Sequence, residues 1–180
     1  EQTPNPATLK FLPGRTVLET GTADFTNAEE AAGRSPLASH LFGIEGVVAV
    51  FLGADFITIT KGGEKEWHVL KPSILGAIME HMTAGLPIIS DVPATEALVD
   101  SGEDSEVVVQ IKELLETRVR PAVAQDGGDI VFEGFDSGVV YLQLRGACAG
   151  CPSSTMTLKM GIENMLRHYI PEVTEVRAAM

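Results

Sequence analysis

Gly146-Ala147-Cys148-Ala149-Gly150-Cys151-Pro152-Ser153-Ser154 is the stretch on which both fold and chemistry turn. Before it, Val139 to Arg145 reads as a strand; after it, Pro152 to Tyr169 reads as a helix, with Pro152 suited to a first turn whose N–H needs no partner. The two cysteines are therefore expected in a strand-to-helix loop. Cys151 would then stand at the helix N-terminus, where unpaired backbone N–H groups favour a thiolate over a thiol. Gly146 and Gly150 let the loop curl so that both sulfurs face one way. The nearest charges in sequence, Arg145 and Lys159, are positive, and no acid lies between Asp136 and Glu163.

Working outward, Ile130–Phe135 and Val139–Arg145 flank Asp136-Ser137-Gly138 as a hairpin, and a last strand is expected near Val173–Val176. Upstream, Val108, Ile111, Leu115 and Val119 recur at helical spacing, ending near Pro121, and Asp126-Gly127-Gly128-Asp129 breaks the chain as a turn to which no chemistry is assigned. The order is α-β-β-α-β. Between Lys71 and Lys112 no Lys or Arg occurs while acids, prolines and glycines accumulate, the pattern of an extended, flexible acidic linker. The reading is thus α+β, two small α+β domains: residues 1–86, a linker over 87–105, and residues 106–180.

In the first domain, Thr8–Leu12 and Thr16–Glu19 read as strands, and Ala28–Ala32 and Pro36–Phe42 as helices, the second capped by Ser35. Val47–Leu52 and Phe56–Lys61 form a hairpin pattern around Gly53-Ala54-Asp55. Ser73–Ala84 places Ile74, Ile78 and Met82 on one helical face.

The whole chain has 180 residues, 44% hydrophobic and 21% charged, enough for real cores. A net charge of -12 with only 13 Lys and Arg argues against nucleic acid and anionic membranes as partners. No apolar run approaches the roughly 20 residues that span a bilayer. The first ten residues lack the basic start and apolar middle of a signal peptide, which points to a bacterial cytoplasm, or to a mitochondrial matrix in a eukaryote. The cysteines number two, three positions apart, so they make a site rather than a disulfide framework and fit a reducing compartment.

Soft thiolates select zinc, Cu(I) or iron–sulfur clusters, and a cluster usually takes four of them. One chain supplies two. His168, seventeen residues of helix beyond Cys151, would stand about 25 Å away at ~1.5 Å per residue. The simplest completion is a symmetric homodimer in which each copy gives Cys148 and Cys151 across a two-fold axis, an arrangement from which a cluster is easily released. Two alternatives use the same residues: a thiol–disulfide redox module and a structural zinc shared between copies. No serine-nucleophile motif, phosphate-binding glycine loop or paired catalytic acids occur, so no turnover enzyme is expected. His40, His68, His81 and His168 are scattered and assigned no ligand role, Trp67 is assigned to packing, and Met156, Met160 and Met165 are read as core filler, some of them available to line a dimer contact.

Arg120-Pro121, Asp126-Gly127-Gly128-Asp129, Gly146-Ala147-Cys148, Gly150-Cys151-Pro152-Ser153-Ser154, Thr157-Leu158-Lys159, Gly161-Ile162-Glu163 and Pro171-Glu172-Val173 together resemble the C-terminal NifU domain. Thr3-Pro4-Asn5-Pro6, Leu9-Lys10-Phe11, Ser35-Pro36-Leu37-Ala38, Asp55-Phe56-Ile57-Thr58 and Lys71-Pro72 resemble the N-terminal domain of Nfu proteins, so the resemblance covers nearly the whole chain. It implies an iron–sulfur cluster scaffold or carrier in which a 4Fe-4S cluster is bridged between two subunits by Cys148 and Cys151; a 2Fe-2S cluster is satisfied by the same four thiolates. It further implies upstream cluster donors and apo-protein clients such as aconitase-like and lipoyl synthase-like enzymes; a separate expectation is that the N-terminal domain selects among them.

Overall fold

The computed structural model describes residues 1–90, 105–149 and 152–179. Residues 91–104, most of the expected linker, lie outside them, as do Gly150 and Cys151. The chain divides into two compact units, residues 1–97 and 98–180, and its mixture of helices and sheets is α+β.

The first unit is a four-stranded antiparallel sheet in the order β1-β4-β3-β2, built from β1 (Thr8–Phe11), β2 (Ala23–Phe25), β3 (Val47–Leu52) and β4 (Ile57–Lys61). Successive strand residues face opposite sides. Leu9, Phe11, Val50, Leu52, Ile57 and Ile59 accordingly join one core with Leu37 and Leu41 of α2 (Pro36–Phe42) and Ile74 and Ile78 of α3 (Trp67–Thr83). The opposite face carries Thr8, Lys10, Phe51 and Thr58, also buried. There Phe56 lies over Phe51 at 5.9 Å between ring centroids, and Lys10 Nζ sits 4.7 Å from the Phe56 ring centre, so the lysine's stem covers apolar surface. α1 (Ala28–Arg34) is capped by Asn27, and α2 by Ser35, whose Oγ accepts the Ala38 N–H.

Three expectations for this unit are corrected. Thr16–Glu19 is not a strand: Gly14 and Gly21 both take positive φ, and the N–H groups of Val17 and Leu18 converge on the Ala54 carbonyl rather than pairing along a neighbour. The strand that completes the sheet is instead β2. The helix expected from Ser73 starts six residues earlier, at Trp67, and runs through Pro72. The ring removes one hydrogen bond, but Leu70 is buried and Trp67 packs on the core while its indole donates to the Pro6 carbonyl. After this helix the chain from Pro87 to Ser90 stays bonded to the unit, through His81 Nε2 to the Pro87 carbonyl, Ser35 Oγ to Ile88 and the Ser90 N–H to Arg34.

The second unit follows the expected α-β-β-α-β order. α4 (Glu106–Leu114) runs through a π-helical turn at Leu115–Val119 into α5 (Arg120–Gln125), so the helix does not end at Pro121. Pro121 has no N–H to give and its ring crowds the carbonyl four residues back, and the wider turn lets the Arg120 N–H reach Leu115 instead. The wide turn also suits the core. Ile111, Leu115, Val119 and Val123 are all buried at strict four-residue spacing, which in a pure α-helix drifts by about 40° per step.

β5 (Gly128–Asp136) and β6 (Val139–Gly146) form an antiparallel hairpin. Ser137 and Gly138 both take positive φ, the tight turn that matches strand twist. α6 (Pro152–Tyr169) crosses over the sheet to β7 (Glu175–Ala178), parallel to β6. Val173, expected in that strand, is buried just ahead of it. Glu163 on α6 accepts the Val176 N–H at 3.1 Å, which ties helix to strand. Ile162, Leu166 and Ile170 fill the core beneath, each worth about 1.5–3 kcal/mol on burial. Among the described residues no helix is long and apolar enough to cross a membrane.

Candidate functional site

Cys148 lies just beyond the end of β6, ahead of α6, as the strand-to-helix reading expects. Cys151, the other predicted site residue, lies outside the described residues. Cys148 is 8% exposed and belongs to the same core cluster as Ile111, Val123 and Ile162. Its loop is tied on three sides. Gly146 takes a positive φ and its carbonyl accepts the Ala149 N–H at 3.1 Å; the Ala147 N–H donates to Gly127 at 3.2 Å. Thr155 Oγ1, one turn into α6, donates to the Cys148 carbonyl at 3.3 Å.

The floor of this loop is the Asp126–Asp129 segment. Asp126 ends α5, and Gly127 adopts a positive φ with its N–H on the Ala124 carbonyl, the left-handed step that commonly stops a helix. Gly128 then opens β5 opposite Gly146. Asp129 is 3% exposed and forms a two-point ion pair with Arg120, Nε to Oδ1 at 2.9 Å and Nη2 to Oδ2 at 3.0 Å. Its Oδ1 also takes the Ile130 N–H, and Glu116 holds the third guanidinium nitrogen at 2.7 Å. Hydrogen bonding to Asp129, partly offset by burial and reinforced by Glu116, holds the Arg120 guanidinium above its ordinary pKa, so the guanidinium stays charged. The sequence reading of this segment as a turn is right for Gly127 but missed the ion pair. The signal was present in two acids and two glycines following an Arg-Pro at fixed spacing, yet nothing in one chain's sequence pairs Arg120 with Asp129.

The two cations nearest the cysteines in sequence have neighbours of their own. Arg145 donates through Nε and Nη2 to Gln143 Oε1 at 3.0 and 2.8 Å. Lys159 edges a shallow apolar groove with Leu144, Ile162 and Val176 among its walls. Met156 and Met160 are 66% and 60% exposed, which overturns their reading as core filler, whereas Met165 packs against the core. They sit on the helical flank that α6 turns away from the sheet. His40, His68 and His168 are exposed and His81 is buried in the other unit. Among the described residues no three His, Cys, Asp or Glu side chains gather as a metal site.

An α+β unit that presents a buried cysteine between a strand and a helix, with a second cysteine three residues on, defines a thiol-bearing module appended to a separate helix-on-sheet unit. Comparison with known proteins gives the family. Residues 1–85 match the model described as scaffold protein Nfu/NifU N terminal, and residues 111–177 match the NifU-like domain. The human protein named NFU1 iron-sulfur cluster scaffold homolog, mitochondrial, is 54% identical over 182 residues, covering 100% of this chain and 70% of its own. NifU-like protein 4, mitochondrial, of Arabidopsis thaliana is 53% identical over 180 residues, covering 98% of this chain and 63% of its own, so the chain spans less than two thirds of that relative. A solution structure of a NifU-like protein from Saccharomyces cerevisiae superposes with a TM-score of 0.46 at 28% identity, covering 51% of this chain and 82% of that one. The chain belongs to the Nfu/NifU family.

Proposed function

We propose that this chain is an iron–sulfur cluster scaffold and carrier whose cargo, a 4Fe-4S cluster, is bridged between two copies by the thiolates of Cys148 and Cys151 and passed to apo-proteins. The observation that carries the reading is the strand-to-helix placement of Cys148 in a chain 54% identical along its whole length to a protein named as an iron–sulfur cluster scaffold. Two thiolates per chain and four per cluster make a homodimer the natural holder, and a binding loop at such an interface favours release. The chain's part is to supply and orient thiolates, and no catalytic step is required of it. Residues 1–90 would select donors and clients, aconitase-like and lipoyl synthase-like proteins among them, while the acidic segment over 91–105 raises the local concentration of residues 106–180 near a docked client. Relatives named as mitochondrial support a matrix location for a eukaryotic source over a cytoplasmic one.

Anaerobic reconstitution with iron and sulfide tests this, with Mössbauer spectroscopy and native mass on one sample. About two irons and two sulfides per chain in a dimer, abolished by Cys148→Ser and by Cys151→Ser, is the expected outcome. A monomer that takes up no iron but cycles between dithiol and disulfide sinks the proposal. In the same assay, a chain lacking residues 1–90 should load normally and deliver more slowly to some clients, and equal delivery to all of them would remove the selecting role.

A further inference from the structure

The first residue of β5 lies against the sulfur of Cys148. A Cβ built on Gly128 would stand 2.6 Å from Cys148 Sγ, 3.1 Å from its Cβ and 2.8 Å from the Arg145 carbonyl oxygen. Separations below 3.0 Å are essentially never seen for real Cβ atoms, so the sulfur fills the space where any other side chain would begin. The backbone makes no such demand. Gly127 needs its positive φ, but Gly128 has none, so what requires a glycine at 128 is the approach of its neighbours. Gly134, in the same strand, gives the contrast, since a Cβ there meets nothing within 4 Å.

We propose that Gly128 is the seat of the Cys148 sulfur, a positioning residue that, by having no side chain, lets the thiol lie buried at the base of its loop. This rests on the reading of Cys148 as a cluster ligand. The seat cannot recede from the sulfur. Arg120 clamps Asp129, the next residue, from α5; the Gly127 carbonyl holds the Ala147 N–H; and Gly128 is paired with Gly146 in the sheet. On the sulfur side a methyl group at 128 is therefore relieved by the flexible partner, the Cys148 side chain, which swings outward and loses the direction in which it meets a cluster, while the contact with the Arg145 carbonyl asks for a small backbone shift.

The test is made on the full chain with Cys151→Ser, which leaves Cys148 as its one thiol. The alkylation rate is measured without metal by mass spectrometry. Gly128→Ala is expected to raise that rate by about tenfold, because thiol reactions follow access, while Gly134→Ala stays within about twofold. An unchanged rate in a folded Gly128→Ala variant overturns the proposal. Should Gly128→Ala fail to fold by far-ultraviolet circular dichroism, Cys148→Ala is added. Recovery of the folded signal supports the seat, and continued unfolding assigns the clash to the Arg145 carbonyl and overturns it. With both cysteines present, Gly128→Ala should hold several-fold less iron and sulfide than the parent after reconstitution, and equal loading would also overturn the proposal. A parent chain that loads no cluster refutes the ligand role of Cys148 instead, and the alkylation result then speaks only to where the sulfur lies.

Discussion

Replacing Arg120 by Met should destabilise the second unit and leave the first untouched. The substitution keeps most of the stem's volume and deletes the cation, which takes from Asp129, a carboxylate 3% exposed, the two guanidinium hydrogen bonds that face it. Removing one partner of a fully buried ion pair costs about 3–5 kcal/mol. The Arg120 side chain is 32% exposed, so solvent already screens part of the attraction, and about 2 kcal/mol is the better figure. For a unit of this size that is a fall in melting midpoint of about 8–16 °C. Asp129→Asn should cost about half as much, because Arg120 retains Glu116 and water and the amide oxygen still accepts from Ile130. The chain offers its own assay. Its one tryptophan, Trp67, lies in the first unit and its two tyrosines, Tyr141 and Tyr169, in the second, so selective tryptophan fluorescence and tyrosine near-ultraviolet circular dichroism follow the units separately. A tyrosine midpoint within about 3 °C of the parent's, or a larger loss for Asp129→Asn than for Arg120→Met, would refute the claim that the half-buried Arg120–Asp129 pair anchors the floor of the cysteine loop.

Two further predictions address other parts of the chain. Ser35→Ala removes the acceptor for the Ala38 N–H and the donor to the Ile88 carbonyl. It should cost about 1–2 kcal/mol, visible in the Trp67 transition and not in the tyrosine signal; an unshifted Trp67 midpoint would show that the cap is dispensable. Glu175, hydrogen-bonded to Arg177 and also near Lys159, is held below the ordinary carboxylate range. Its charge therefore favours the native state above the unfolded carboxylate's pKa, and that contribution is lost as pH falls through the lowered native value. Because both side chains are open to solvent, at 39% for Glu175 and 54% for Arg177, unfolding curves should barely register the change. Side-chain NMR should find the Glu175 midpoint lowered and moved upward by Arg177→Gln; identical midpoints in parent and variant would dispose of the interaction.

The cysteine loop was legible because its cues are local. A strand-like alternation, two glycines, a proline fit for a first helical turn and an apolar periodicity beyond it lie within thirty residues, and each constrains φ, ψ or facing direction without outside help. The hairpin at Ser137-Gly138 and the capped helix at Ser35-Pro36 were legible for the same reason. Where local cues competed with packing, packing won. The helix was expected from Ser73, just past Pro72, but burial of Leu70 and Ile74 carries it through that proline. Pro121 suggested a helix end, and the π turn absorbs it because Val119 and Val123 must both face the core. The short strand Ala23–Phe25 carries too few residues to show a period, and it exists because β3 offers a free edge.

By itself, then, the sequence determined the two-part α+β order and the pairing of two thiols three residues apart, since these follow from spacing along the chain. Tertiary structure alone decided what surrounds the first of those thiols. That Met156 and Met160 face outward depends on which side of α6 the sheet covers. That Arg120 clamps Asp129, and that Gly128 yields its space to the Cys148 sulfur, depends on β5 and β6 closing a hairpin that brings residue 128 against residue 148. Such contacts join positions whose individual residue types are ordinary, and only the distance between them in the folded chain gives them a role.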